Sequence, residues 1–339
     1  ENQLFGFVAS CVDDRFLPKG EKLLEKLTDL LGEFYCNPIT RGGRLLEEYV
    51  ESERENLADL IRSDINDKRS YAARRLLEEM CAGERYGVGR MGAAKDVEKI
   101  SFQKLNSYYL DILPKGRLEL FYCGSAPEKR VAGAFTRAFA ALPRQGGLEP
   151  AATIRRPARE PFQVVVDEMD VSQGKLCIGF RTDSADIPAT MLMNAMFGGT
   201  SNSKLFLNVR EKLSLCYYAG SAYHRLKGLI TVSSGIEFEN YDRAVEEIFR
   251  QLEALQKGEW EDWELTGARE SLLSSLRTME DSPSSLEDFV VGQAAAGSDE
   301  TIPGLIAALQ GVTPQRIREA AQAVKPDTIY FLKGKEALA

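Results

Sequence analysis

Between residues 141 and 161 the sequence abandons regular patterning: Pro143, Gly146, Gly147, Pro150, Pro157 and Pro161 stand among arginines and alanines. Proline withdraws a backbone donor and fixes φ, and glycine is costly to order. Neither a helix interior nor a central strand tolerates such a stretch. The segment reads as a linker at 143–160 between two units, 1–142 and 161–339, each of ordinary domain size.

The two units share a layout. Ser101, Leu105 and Pro114 recur at the same spacing as Thr313, Ile317 and Pro326. Each trio opens a helix, and each proline leads into a strand ending in glycine, at Gly124 and Gly334. Leu4-Phe-Gly-Phe-Val-Ala-Ser10 likewise matches Leu229-Ile-Thr-Val-Ser-Ser-Gly235, each ahead of an amphipathic helix. The common order points to a duplicated domain. The second unit has a long run, Pro161 to Arg225, before its Leu229 strand, where the first has only Glu1 to Gln3. The expectation is a fragment whose first domain lacks a similar length at its start.

Local patterning fills in the elements. Leu23, Leu24, Leu27, Leu30, Leu31 and Phe34 form one apolar stripe over 21–34. Further helices are expected at 45–66, at 71–80, and at 101–110 with Ser101 as its N-cap. The apolar, aromatic run 118–123 reads as a strand. The second unit offers strands at 162–166, 175–181, 215–223, 229–236 and 328–332, and helices at 241–255, 260–279, 286–296 and 314–323. The fold class is α/β (α+β): two related domains, each an antiparallel sheet packed by helices, with the first truncated at its N-terminus.

Composition narrows the function classes. A hydrophobic fraction of 44% with 28% charged residues suits an ordinary globular chain rather than a disordered one or a rod. No apolar run reaches the roughly 18 residues a membrane span needs. Acids outnumber bases, 51 to 43, so no overall basic excess marks a nucleic-acid binder. The six cysteines are scattered without a CxxC pair. Cys123 and Cys177 sit in apolar company and read as buried reduced thiols, and with no signal peptide in the sequence the expected compartment is cytoplasmic.

Most catalytic templates fail. His224 is the one histidine, so neither HExxH nor HxxEH occurs, and no GxSxG elbow presents a serine. Gly198-Gly-Thr-Ser-Asn-Ser-Lys204 lacks the GxxxxGK[ST] of a phosphate loop. Its glycines read as the break between two helices, with Thr200 or Ser201 capping the second. The carboxylate pairs Glu78/Glu79 and Glu246/Glu247 fall on charged, solvated helix faces.

One segment is more specific: Phe197-Gly-Gly-Thr-Ser-Asn-Ser-Lys-Leu-Phe-Leu-Asn-Val-Arg210-Glu-Lys-Leu-Ser-Leu-Cys-Tyr217-Tyr. It closely resembles the C-terminal domain of the pitrilysin/insulinase family of zinc metallopeptidases, which includes the mitochondrial processing peptidase. The likeness extends to Glu53-Arg-Glu-Asn-Leu-Ala-Asp-Leu-Ile-Arg62, Asp67-Lys68, the 71–80 helix and Tyr86-Gly87 through Gly92. It is nearest the bacterial branch whose members often occur as an active and an inactive partner.

The resemblance implies a hollow two-domain clam that holds peptide. It implies that Arg210 and Tyr217, the R-x6-Y pair, bind the substrate backbone and stabilise a developing oxyanion, roles suited to a guanidinium and a phenol. Gly198 and Gly199 are the matching substrate-binding positions. Active members also carry HxxEH and a later glutamate ligand, and the best register puts Arg62 at that glutamate. No Glu occurs from Leu60 to Asp64, and a guanidinium there would repel a cation; a register shifted by two would place Asp64 instead. The expectation is an inactive pseudo-peptidase with no metal of its own. Its partner would be an HxxEH-bearing homologue that carries zinc, in a heterodimer acting on peptide. A stand-alone peptide-binding or scaffold homodimer, and an active zinc endopeptidase whose HxxEH lies upstream, are the alternatives.

Overall fold

A computed structural model of the chain describes residues 4–18, 20–147 and 153–335. In the first half, α1 (Leu23–Cys36) buries Leu24, Thr28 and Gly32 at helical spacing. A hairpin of β1 (Thr40–Arg41) and β2 (Arg44–Leu45) turns through Gly42 and Gly43, both at positive φ, and leads into α2 (Glu47–Ser63). α3 (Lys68–Met80) starts at Asp67, whose carboxylate accepts from the Arg69 and Ser70 N–H groups. α4 (Ala94–Val97), α5 (Phe102–Lys115) and α6 (Glu128–Ala138) follow. Ser101 caps α5 as expected, its Oγ accepting from the Lys104 N–H at 3.3 Å. α6 lies against α1 closely enough that a Cβ on Gly32 would strike the Ala138 carbonyl. Arg130 of α6 reaches back to Glu25 and Asp14.

The second half holds β3 (Gln163–Met169), β4 (Gly174–Thr182), α7 (Ile187–Asn194), β5 (Cys216–His224) and β6 (Leu229–Ile236). Then come α8 (Tyr241–Lys257), α9 (Asp262–Met279), α10 (Pro283–Ala296), α11 (Ile302–Gln310), α12 (Pro314–Gln322) and β7 (Val324–Gly334). The sheet runs β3-β7-β4-β6-β5, parallel between β3 and β7 and antiparallel elsewhere. Strand alternation gives it two covered faces. On one, Leu176, Ile178 and Phe180 of β4 join Ile230, Val232, Ile329 and Phe331 beneath helices α7, α8 and α12. On the other, α3 sets Ala72 and Leu76 against Cys177, Tyr330 and Leu332.

A buried ionic seam fastens the two halves where α3 ends. Arg181 of β4 donates to Asp327 at 3.0 Å, to Glu84 at 2.9 Å and to the Met80 carbonyl at 2.6 Å. Lys227 completes the set by binding Glu84. Burial would push the Glu84 carboxyl up, but its bonds to Lys227 and Arg181 outweigh this and hold it below the usual range. Two cations facing two carboxylates keep the charges matched in a dry setting, and removing any one leaves the cluster with an unmatched buried charge.

Several expectations need correcting. Residues 118–123 and 4–10 are not strands. A strand needs a ladder partner, and among the described residues of the first half the only sheet is the β1–β2 hairpin. Among the described residues the helix-packed sheet, antiparallel except between β3 and β7, lies in the second half. Cys123 is consequently exposed, as is Cys11, while Cys81, Cys177 and Cys216 are buried. Pro114 and Pro326 are not equivalent either: Pro114 lies in the last turn of α5, whereas Pro326 is inside β7. Thr313 does cap α12 as Ser101 caps α5. Of the expected linker, 148–152 falls outside the described residues; Arg155 and Arg159 pin the remainder to Ser184, Arg225 and Glu79 carbonyls.

Candidate functional site

The R-x6-Y segment begins where α7 changes pitch. After Asn194 the helix widens into a π-helical turn at Ala195–Gly199, and a second π-helix runs Leu205–Lys212 before β5. Such wide turns are rare and re-aim side chains at the cost of poorer hydrogen bonding. Here both lie against β5. The Gly198 position explains how: a Cβ on it would sit 2.7 Å from the Ser221 backbone nitrogen and 2.8 Å from its Oγ. Gly198 is buried and brings the helical backbone onto β5, while Gly199 beside it is exposed. Lys204, in the stretch superficially like a phosphate loop, is buried and bonds Glu264 of α9 at 3.0 Å.

Arg210 stands near the end of the second π-helix, its guanidinium over the Phe206 ring at 4.7 Å and 3.3 Å from the neighbouring Glu211 carboxylate. Two-fifths of its side-chain surface stays open. Tyr217 is the bulged residue of β5, since the register against β6 slips between Cys216 and Tyr218. It is 62% exposed, and its hydroxyl donates to Glu237 Oε1 at 2.8 Å. The accepting carboxylate pushes the phenol above the ordinary tyrosine range. Burial pushes the thiol of Cys216, the residue before Tyr217, up, while its bond to Ser234 and the charge of Arg210 pull against it, so Arg210 lies close to the start of β5. The geometry leaves a guanidinium and a phenol near one end of the sheet, each held by a carboxylate.

Glu237 is the site residue that sequence reasoning missed. Its signal was indirect: antiparallel pairing of 216–224 with 229–236 brings residue 237 next to the start of β5. The other expected residues lie elsewhere. Arg62 bonds Asp59 at 2.7 Å and also Glu98, on the open side of α2. Asp64 accepts from Arg74 Nε at 2.9 Å. These residues do not fit a zinc ion: the position given to a ligand holds a cation, and Asp64 is committed to an arginine. No group of three or more His, Cys, Asp and Glu placed to hold a metal occurs among the described residues. His224 bridges two hydroxyls, Tyr86 at 3.0 Å and Thr231 at 3.1 Å, and so links the end of the first half to the sheet. No helix among the described residues is long and apolar enough to cross a membrane.

Comparison with known proteins gives a consistent picture. Residues 99–272 match the family model described as the peptidase M16 inactive domain. The chain is 34% identical to the probable inactive metalloprotease YmfF of Bacillus subtilis, across 99% of this chain and 79% of that protein. Among solved structures, a conserved protein of Enterococcus faecalis superposes with a TM-score of 0.86 at 26% identity, covering 97% of this chain and 78% of that one. A protease of Helicobacter pylori shares the fold with a TM-score of 0.77 at 16% identity, over 91% and 76% of the two chains. With the R-x6-Y segment seated on the edge of a helix-backed sheet, these matches establish that the chain belongs to the M16 peptidase family.

Proposed function

We propose that this chain is a catalytically inactive M16 subunit that binds peptide and lends Arg210 and Tyr217 to the active site of an HxxEH-bearing homologue in a heterodimer. The observation that carries the reading is the exposure of Tyr217 on its β5 bulge, beside Cys216, where the charge of Arg210 is felt. A residue kept only for packing would be covered; this one presents a donor outward. The name of the Bacillus relative, a probable inactive metalloprotease, supports the non-catalytic part. So does Arg62 where the family's ligand is expected.

In this reading zinc and the general base belong to the partner, where the metal would activate the attacking water. This chain's residues act on the substrate. The Arg210 guanidinium and the Tyr217 hydroxyl turn from Glu211 and Glu237 toward the peptide carbonyl and stabilise the charge that develops there. The two units, 1–142 and 161–339, form one wall of the peptide chamber. The test is to co-purify the full-length protein with the HxxEH homologue encoded by the same organism and to follow cleavage of a quenched peptide by the pair. Arg210→Ala and Tyr217→Phe are expected to lower kcat by about 100-fold each, the scale of losing one oxyanion donor, while leaving the pair assembled. Undiminished cleavage by both variants, or the absence of a pair, refutes the reading.

A further inference from the structure

The face of the sheet that α3 covers carries a second polar feature beside Tyr217. In the register of the sheet, Lys175 of β4 and Tyr218 of β5 are both paired with Gly235 of β6, so the three form one row across neighbouring strands. Paired residues project to the same face. Gly235, having no side chain, leaves room that Tyr218 and Gln173 use: a Cβ there would lie 2.5 Å from the Tyr218 ring and 3.0 Å from Gln173 Oε1. Arg69, in the first turn of α3, stacks its guanidinium on the Tyr218 ring at 4.1 Å. A stacked guanidinium keeps its N–H edge free to donate.

Neither cation makes a direct ion pair among the described residues. Lys175 Nζ bonds only the neutral Gln173, and the Arg69 side chain makes no hydrogen bond or ion pair among the described residues. The nearby Asp67 is occupied as the cap of α3, accepting from the Arg69 and Ser70 N–H groups and the Ser70 hydroxyl. Elsewhere on this face the rule is pairing: Arg75 engages Asp167, Glu78 and Glu79. Burial first, and then the charge of Arg69, lower the proton affinity of Lys175, while the nearby Asp67 carboxylate opposes them. In a chain of net charge −8, two cations at one aromatic ring with a single carboxylate nearby that pairs directly with neither leave a local positive excess.

We propose that Arg69, Lys175 and Tyr218 form a carboxylate-binding subsite that selects acidic peptides or peptide ends. It rests on the reading that this end of the sheet meets peptide, and it adds to that reading the class of substrate. The guanidinium and the ammonium supply charge-assisted donors to one carboxylate, and the ring of Tyr218 holds the guanidinium in place. Two sources share this chemistry, an Asp or Glu side chain and the C-terminal carboxylate.

The test uses the full chain alone, immobilised, with two pools of N-acetylated random decapeptides, one ending in a free acid and one amidated. Retained peptides are quantified and sequenced by mass spectrometry. Preferential retention of the free-acid pool assigns the C-terminal carboxylate; enrichment of Asp or Glu within the amidated pool assigns the side chain. Either preference is expected to fall by about ten- to a hundred-fold in Arg69→Gln/Lys175→Gln, the scale of losing bonds to a charged group. Lys175→Arg, which keeps the charge, should retain it and guards against a folding defect. No preference in the wild type, or one unchanged in the double variant, overturns the proposal. Should the preference hold while Arg210→Ala leaves cleavage by the reconstituted pair untouched, the subsite stands and the trans-acting role of Arg210 falls.

Discussion

Gly198 offers a direct measurement of how tightly the π-helical turn is set against the strand bearing Tyr217. Replacing glycine by alanine inside a helical segment ordinarily stabilises by up to about 1 kcal/mol, because less backbone freedom is lost on folding. Gly267, midway along α9, shows the unopposed case: a Cβ there meets nothing within 4 Å. At Gly198 the same atom would lie 2.7 Å from the Ser221 nitrogen and 2.8 Å from Leu205 Cδ1. The Leu205 methyl can turn aside, but the Ser221 nitrogen is strand backbone and cannot without moving β5. Overpacking of this kind costs about 1–3 kcal/mol. After the propensity gain is subtracted, Gly198→Ala should lose about 1–2 kcal/mol while Gly267→Ala gains about 0.5–1 kcal/mol. Both positions are in the second half, so urea unfolding followed by circular dichroism reports the same transition. At an m value of about 3 kcal/mol/M, the two midpoints should separate by roughly 0.5–1 M. Equal midpoints, or a more stable Gly198→Ala, would show that the turn is not held by close approach to Ser221. The substrate-binding role given to Gly198 by resemblance would then regain its standing against packing.

Three further outcomes test other parts of the structure. Asp327→Ala leaves Arg181 with a buried charge and should cost about 3–5 kcal/mol by the behaviour of broken buried pairs; a loss under 1 kcal/mol in the same urea assay would mean that solvent reaches the seam. Glu25 is held at about 2 by its bond to the Arg130 guanidinium, against an ordinary 4.5. A depressed folded-state value means stability present above about pH 4.5 and lost as the pH falls toward 2. Glu25→Gln should therefore flatten the fall in Tm over that window, and an unchanged profile from pH 6 to 2 counts against the Arg130 contact. Tyr217 titrates high because its hydroxyl bonds Glu237, so Glu237→Gln should bring the phenol back toward the ordinary range. NMR of Cζ-labelled tyrosine, with Tyr217→Phe for assignment, reads this, and a resonance that titrates identically in both forms refutes the contact.

What the sequence disclosed depended on how locally each feature is determined. α1 was legible from its stripe of Leu23, Leu24, Leu27, Leu30, Leu31 and Phe34, although the face it buries is Leu24, Thr28 and Gly32 while Leu30 and Phe34 stay exposed, and β6 was legible as the short apolar run Leu229–Ile236. α6 was missed although its apolar residues share one face: it buries only Val131 and Ala134 of its eleven residues, and that face lies against α1. Residues 118–123 failed in the opposite way. Leu118, Leu120, Phe121 and Tyr122 have strand propensity, but propensity supplies no partner, and without a ladder the segment stays irregular. The π-helical turns left no mark either, since they reflect how α7 is accommodated on β5 rather than which residues compose it.

The same distinction separates the two polar sites. Arg210 and Tyr217 are seven positions apart on consecutive elements, so a fixed spacing in one stretch of chain encodes the pair, and a family pattern can carry it. Arg69, Lys175 and Tyr218 come from three elements, and Gly235, which makes room for them, from a fourth. Each is unremarkable in its own neighbourhood: a basic residue early in a helix, a lysine and a tyrosine near strand starts, a glycine near a strand end. Only the register, Lys175 and Tyr218 both against Gly235, makes them one row, and only α3 lying across that row brings Arg69 onto the ring. Two cations brought together from α3 and β4 repel, and the one carboxylate nearby, Asp67, which pairs directly with neither, offsets only part of that repulsion. That residual positive charge, on a face where Arg75 holds three carboxylates, is the physical reason to look for a further anion in the peptide.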